Sequence, residues 1–150
     1  MMLVIIASGL LIVDQITKFV VRSRMEIGET LPVFRGVLDI TYVQNRGAAF
    51  SLFQNSQLIT VILPIITILA GIAFLVYLRR NNERVAELGA LLIVSGGIGN
   101  LIDRTVIGFV TDMISVGRFP VFNVADICVT VGCGLLILWV ILGEIKNAKA

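Results

Sequence analysis

Residues Val121–Gly143 read VFNVADICVTVGCGLLILWVILG. A spanning helix needs about 20 apolar residues. The stretch from Phe122 to Gly143 supplies them, so a transmembrane helix is predicted there. One carboxylate, Asp126, stands near its head. An unpaired charge within lipid costs about 3 kcal/mol or more, so such a residue is expected to be paired or to face the interior of a bundle. Asn123 and Asp126 also suit the start of a helix, as cap and first-turn acid. For one aspartate alone, that local role would suffice.

Three further apolar segments lie upstream: Met2–Val21, interrupted by Asp14 and Lys18; Leu58–Leu78; and Val85–Val110, which holds Asp103 and Arg104. The predicted fold class is thus an all-α membrane protein with four transmembrane helices, a single domain over residues 1–150. Composition agrees. The chain is 57% hydrophobic and 15% charged, with a mean hydropathy of +1.00, more apolar surface than a soluble domain of this size can hide. The first segment lacks a basic leader and a small-x-small cleavage site, so it reads as a retained helix. Four spans place both termini on one side. Arg79, Arg80, Arg84, Lys146 and Lys149 crowd short flanks, which favours the cytoplasm for that side.

The loop after the first span is patterned. Val33–Val43, VFRGVLDITYV, is rich in β-branched and aromatic residues with partial alternation. It predicts two or three short strands, with Pro32 and Gly36 at turns or bulges. Ser51–Gln57 mixes apolar and polar residues and suits a short interfacial segment. Net charge is +2, and no basic stripe with interleaved aromatics is present, so no nucleic-acid partner is expected. Cys128 and Cys133 read as small apolar packing residues.

Polar residues inside the spans carry the functional signal. Asp14 and Lys18 are four apart and share a helix face, as a buried ion pair or as support for a site. Gly96–Arg104 reads GGIGNLIDR. Its glycines let a neighbouring helix approach, and Asn100, Asp103 and Arg104 follow on one face. Asp112 lies nine residues after Asp103, and Asp126 fourteen after Asp112, with the turn-like Gly117–Pro120, GRFP, between. The third helix is expected to end, turn, and start the fourth, with Asp112 and Asp126 at the same membrane face.

The chain has no histidine, which removes the commonest general base and zinc ligand and any Ser–His or Cys–His pair. Lys18 has no obvious serine partner for a Ser–Lys dyad. Two carboxylates without His or Cys are thin for a metal, so no metal and no cofactor are expected. A carboxylate pair remains. Close like charges in a low dielectric do not both ionise, so one acid keeps its proton and the other takes one from water. A transporter with an aspartate proton relay is the rival reading. Against it, no repeat is found and both aspartates lie near one face. A structural subunit is a second rival, and it would not need carboxylates.

The blocks DQITK (Asp14–Lys18), NRGAAF (Asn45–Phe50), GGIGNLIDR (Gly96–Arg104), VTD (Val110–Asp112) and FNVAD (Phe122–Asp126), in this order on four spans, resemble bacterial lipoprotein signal peptidase, or signal peptidase II. The resemblance implies an inner-membrane aspartic endopeptidase that cuts prolipoproteins just before a diacylglyceryl-modified cysteine. It implies Asp112 and Asp126 as the catalytic pair, and Asn45, Gly47, Asn100, Arg104 and Asn123 as lining for substrate. Asp14, Lys18 and Asp103 fall to structural support. It implies a small periplasmic β-sheet cradle, a short interfacial helix, cytoplasmic termini and an active site at the outer face. The implied partners are diacylated prolipoprotein, membrane lipid and globomycin-type cyclic peptides, and a monomer is expected. Two departures stand out. Met113 replaces the phenylalanine often found after the first catalytic aspartate, and the Asp112–Asp126 link is short. Both are expected to touch the lid over the site.

Overall fold

A computed structural model describes residues 2–34, 36–47 and 58–147. Its elements run α1 (Met2–Arg24), β1 (Thr30–Phe34), β2 (Leu38–Asn45), α2 (Leu63–Arg80), α3 (Arg84–Val106), β3 (Val110–Val116) and α4 (Val124–Asn147). One π-helical turn, Leu58–Ile62, leads into α2. All four helices are long and apolar enough to cross a membrane. Their outward side chains stay apolar, as lipid requires: Phe19, Leu69 and Ile137 are each about three-fifths exposed.

Helix α3 is the axis of the bundle. Over half of its span is buried (56%), against 22% or less in the others. Its glycines make that possible. A Cβ on Gly96 would collide with the carbonyl oxygen of Ala125 on α4, and one on Gly99 would meet Asp14 Oδ2 of α1 at 2.6 Å. The predicted packing role of GGIGN thus holds, and it brings three backbones together just below the polar residues. At the other end, Leu78, Ala86 and Ala90 form a small core with Trp139 against it. The Trp139 indole N–H donates to Glu83 at 2.8 Å, as an interfacial tryptophan does.

The third span is shorter than the sequence suggested. It ends at Val106 rather than Val110, because Gly108 takes φ +82°, a left-handed turn that stops a helix. Ile107 N–H and Gly108 N–H both return to the Asp103 carbonyl. The following VTDMISV becomes β3, so Asp112 sits on a strand and not at a helix end. Two strands form in the loop, as expected, and a third, β3, follows α3.

The sheet order is β1-β2-β3, antiparallel throughout. Its register shifts at Pro32/Phe34, and Gly36 turns the hairpin at φ +79°, as anticipated. In β2 and β3, Val43 pairs with Asp112 and Asn45 with Val110. Val21, Tyr42 and Met113 pack together where the sheet meets the end of α1. Met113 is therefore a core residue facing away from Asp112, by strand alternation, packed with Val21 and Tyr42. The segment Ser51–Gln57, together with Ala48 and Ala49 of NRGAAF, lies outside the described residues.

Candidate active site

Backbone pairing puts the two aspartates together. Phe122 bridges to β3: its N–H donates to Ile114 O at 3.0 Å and its carbonyl accepts from Ile114 N–H at 2.7 Å. The next residue, Asn123, is thereby pressed against Asp112, two residues back on β3. Asn123 caps α4. Its Oδ1 accepts the Asp126 N–H at 2.9 Å, and Asp126 Oδ2 accepts the Asn123 N–H at 3.1 Å. This reciprocal box satisfies two otherwise orphan donors at the helix start. The Asn123 Nδ2 also donates to Asp112 Oδ1 at 2.6 Å. One fully buried asparagine thus touches both carboxylates. Capping α4 thus leaves the Asp126 carboxylate bonded to the same asparagine as Asp112.

Two more amides complete the shell. Asn45 Nδ2 on β2 donates to Asp112 Oδ2 at 3.0 Å. Asn100 Nδ2 on α3 donates to Asp126 Oδ1 at 2.8 Å. The orientation of each amide is fixed from behind by a partner that can only donate. Gly47 N–H donates to Asn45 Oδ1 at 2.9 Å, Lys18 Nζ to Asn100 Oδ1 at 2.8 Å, and the Asp126 N–H to Asn123 Oδ1. Each amide oxygen is thus committed, and each NH2 must face a carboxylate. Gly47, at φ +84°, acts here through its backbone N–H.

Asp112 is 2% exposed. Burial pushes its pKa up to about 6, the Asn45 and Asn123 hydrogen bonds pull it back, and the neighbouring Asp126 charge adds to the rise. Arg104 is half-buried, lies in the field of Asp126, Asp112 and Asp103, and makes no hydrogen bond or ion pair among the described residues.

Behind this shell lies a neutral charge cluster. Lys18, fully buried, pairs with Asp14 Oδ2 at 2.9 Å and with Asp103 Oδ2 at 3.8 Å. Arg22 Nη1 reaches Asp103 Oδ1 at 3.3 Å and Thr111 Oγ1 at 2.9 Å. Asp103 Oδ2 accepts the Thr111 N–H at 2.8 Å, tying α3 to β3 next to Asp112. Asp14 Oδ1 accepts the Ala125 N–H at 2.9 Å, capping α4 from α1. Gln15 Nε2 braces Asp14 Oδ2 and the Gly99 carbonyl. Asp14, Lys18 and Asp103 are where a supporting role would put them. Sequence reasoning missed Arg22, Thr111 and Gln15. The stripe 14–18–22 on one helix face was the available sign for Arg22.

The family model described as signal peptidase (SPase) II matches residues 6–142. The chain belongs to the signal peptidase II family. Among its relatives, a lipoprotein signal peptidase of Halothermothrix orenii is 34% identical over 138 residues, covering 92% of this chain and 94% of that protein. One from Clostridioides difficile is 39% identical over 150 residues, covering 98% and 99%. A solved bacterial membrane enzyme, determined by the in meso method at 2.3 Å resolution, superposes with a TM-score of 0.85 at 31% identity, covering 97% of this chain and 90% of that one. The chain is thus a peptidase and a multi-pass membrane protein, with four spans and a small antiparallel sheet.

Proposed function

We propose that this member of the signal peptidase II family removes the signal peptide from diacylglyceryl-modified prolipoproteins, cutting before the lipidated cysteine, by aspartic catalysis with Asp112 and Asp126. The observation that carries the reading is Asn123, hydrogen-bonded to both carboxylates at once. Burial favours the protonated form of Asp112, so the proposed cycle starts with the shared proton there. Asp126 takes a proton from a water lying between the two. That water attacks the scissile carbonyl carbon while Asp112 protonates the carbonyl oxygen, giving a neutral tetrahedral diol. Its collapse breaks the C–N bond, Asp126 returns its proton to the leaving amine, and a diol hydroxyl returns one to Asp112.

The other residues follow from placement. Arg104, whose donors are unspent among the described residues, suits the substrate's carbonyl oxygens. Asn45, Gly47, Asn100 and Asn123 hold the carboxylates and frame the peptide. A cavity of about 590 Å³ adjoins Asp126, with apolar walls that include Phe119, Phe122, Ile127 and Val131, a seat for the hydrocarbon of a substrate that never leaves the bilayer. Arginines at the opposite end of the bundle support cytoplasmic termini and a site at the outer face. Globomycin-type cyclic peptides as inhibitors, action as a monomer and a single domain over residues 1–150 belong to the same reading.

The test is processing of a diacylated precursor by purified protein, with and without a chelator. Wild type is expected to cut in both, and Asp112→Asn and Asp126→Asn to leave the precursor whole while remaining folded. Undiminished cleavage by both variants would sink the reading.

A further inference from the structure

A second cavity, about 520 Å³, opens at the other end of the bundle, between the start of α1, the start of α3 and the middle of α4. Its apolar wall includes Leu3, Leu88 and Leu135. Leu88 lies twelve residues before Asn100, about 18 Å along α3, so this cavity is separate from the aspartates. Two cations and one carboxylate meet at it. Glu87 is 8% exposed at its side chain, Arg84 Nη1 donates to it at 3.2 Å, and Arg79 Nε stands 3.9 Å away. The arginine side chains themselves are 62% and 72% exposed.

The arithmetic of donors matters. Each guanidinium carries five N–H groups. Arg84 spends one on Glu87, and the Arg79 side chain makes no hydrogen bond among the described residues. Glu87 neutralises one charge and holds both side chains at the cavity, leaving a net positive mouth with free donors. The first turn of α3 adds the positive end of its dipole. None of this is needed by the peptidase reaction.

We propose that this cavity binds an anionic phospholipid, with the phosphate held between Arg79 and Arg84 and an acyl chain against Leu3, Leu88 and Leu135. Arginine forks match phosphate geometry, and basic pockets between spans favour anionic head groups. The site is at the end of three spans, where a lipid head group is the natural neighbour and a soluble phosphate has no use for the apolar wall.

Delipidated full-length protein in neutral detergent is titrated with phosphatidylglycerol, with phosphatidylcholine of the same chains, and with inorganic phosphate, following thermal unfolding and native mass spectrometry. Saturable binding of phosphatidylglycerol is expected, with little response to the other two. Arg79→Gln/Arg84→Gln strands the buried Glu87, so the triple variant with Glu87→Gln is made in parallel. Its phosphatidylglycerol affinity is expected to fall about fivefold or more, since the variant loses one net positive charge at about 1 kcal/mol and both guanidinium forks. Leu88→Trp keeps the arginines, fills the cavity and is expected to weaken the same binding. Equal binding of the two lipids, a phosphate response matching that of the lipid, or undiminished binding in either variant overturns the proposal.

Discussion

Replacing Asn45 by alanine tests the proton assignment without touching either carboxylate. Asn45 donates to Asp112 Oδ2 at 3.0 Å, a bond that favours the ionised acid. Hydrogen bonds to charged groups are worth about 1.5–3 kcal/mol net, and one pKa unit is about 1.36 kcal/mol. Removing this bond therefore raises the Asp112 pKa from about 6 by about 1–2 units. In the proposed mechanism the reaction needs the shared proton, so activity is expected to fall above that pKa. At pH 8 the wild-type dyad keeps its proton in about 1% of molecules and the variant in about 10–50%. Peak activity drops, because Asn45 Oδ1 also anchors Gly47 N–H. The ratio of variant to wild-type rate nonetheless rises about tenfold or more from pH 5 to pH 8. The assay is kcat/KM for a diacylated fluorogenic peptide in mixed micelles across that range. An alkaline limb that stays put or moves down, in a variant that is folded, refutes the assignment of the proton to Asp112.

Stability has its own pH dependence. Folding raises the Asp112 pKa from 3.8 to about 6, so the folded state binds that proton more tightly than the unfolded chain. Stability from this residue is full below pH 3.8 and declines by about 3 kcal/mol as pH rises through 6; thermal melts of Asp112→Asn should lack that decline. Lys18→Met leaves Asp14 and Asp103 short of a cation and is expected to cost about 3–5 kcal/mol. Adding Asp14→Asn should return part of that in unfolding assays, but not the activity. Gly96→Ala drives a methyl into the Ala125 carbonyl and is expected to destabilise by about 1–3 kcal/mol. Because Gly96 lies one turn below Asn100, cleavage should fall along with the melting temperature.

The sequence made the spans and the acids legible because each is a strong local contrast: a charge in a run without charges, or glycines clustered on one helix face. It misplaced the end of α3 because Val106–Val110, VIGFV, is as apolar as a helix end in lipid. Only Gly108 marks the turn there, and hydropathy does not register it. The seven residues of β3 hid for the same reason, since a buried strand and a helix end share composition. Arg22 lies one residue beyond the predicted first span, Met2–Val21, where hydropathy gives no sign of a buried partner. The structure shows it reaching back to Asp103, 81 residues away. Asn100 was singled out by its place among glycines. Which way its amide points was beyond sequence, because Lys18 decides that from 82 residues away.

That last point bears on how such a site works. Three asparagines surround two carboxylates, and a free amide can flip, presenting oxygen where nitrogen was. Oxygen against a carboxylate would be repulsive and would disturb the shared proton. Each amide is denied that freedom by a donor on its far side: a backbone N–H at the end of β2, an ammonium on α1, and a backbone N–H in the first turn of α4. Two of these three come from secondary structure that must form anyway. The third, Lys18, is a side chain fully buried at the edge of a bilayer, and it requires Asp14 and Asp103 beside it to be tolerable. The charge cluster is thus explained by the amide it orients. A Lys18→Met protein should keep both aspartates in place and still show a broadened pH profile, since Asn100 then samples both orientations against Asp126. An unchanged profile in that variant, with full activity, would mean that the second donor to Asn100 Oδ1, the Asn123 Nδ2 at 3.2 Å, suffices to orient it and that the buried lysine serves only the packing of α1.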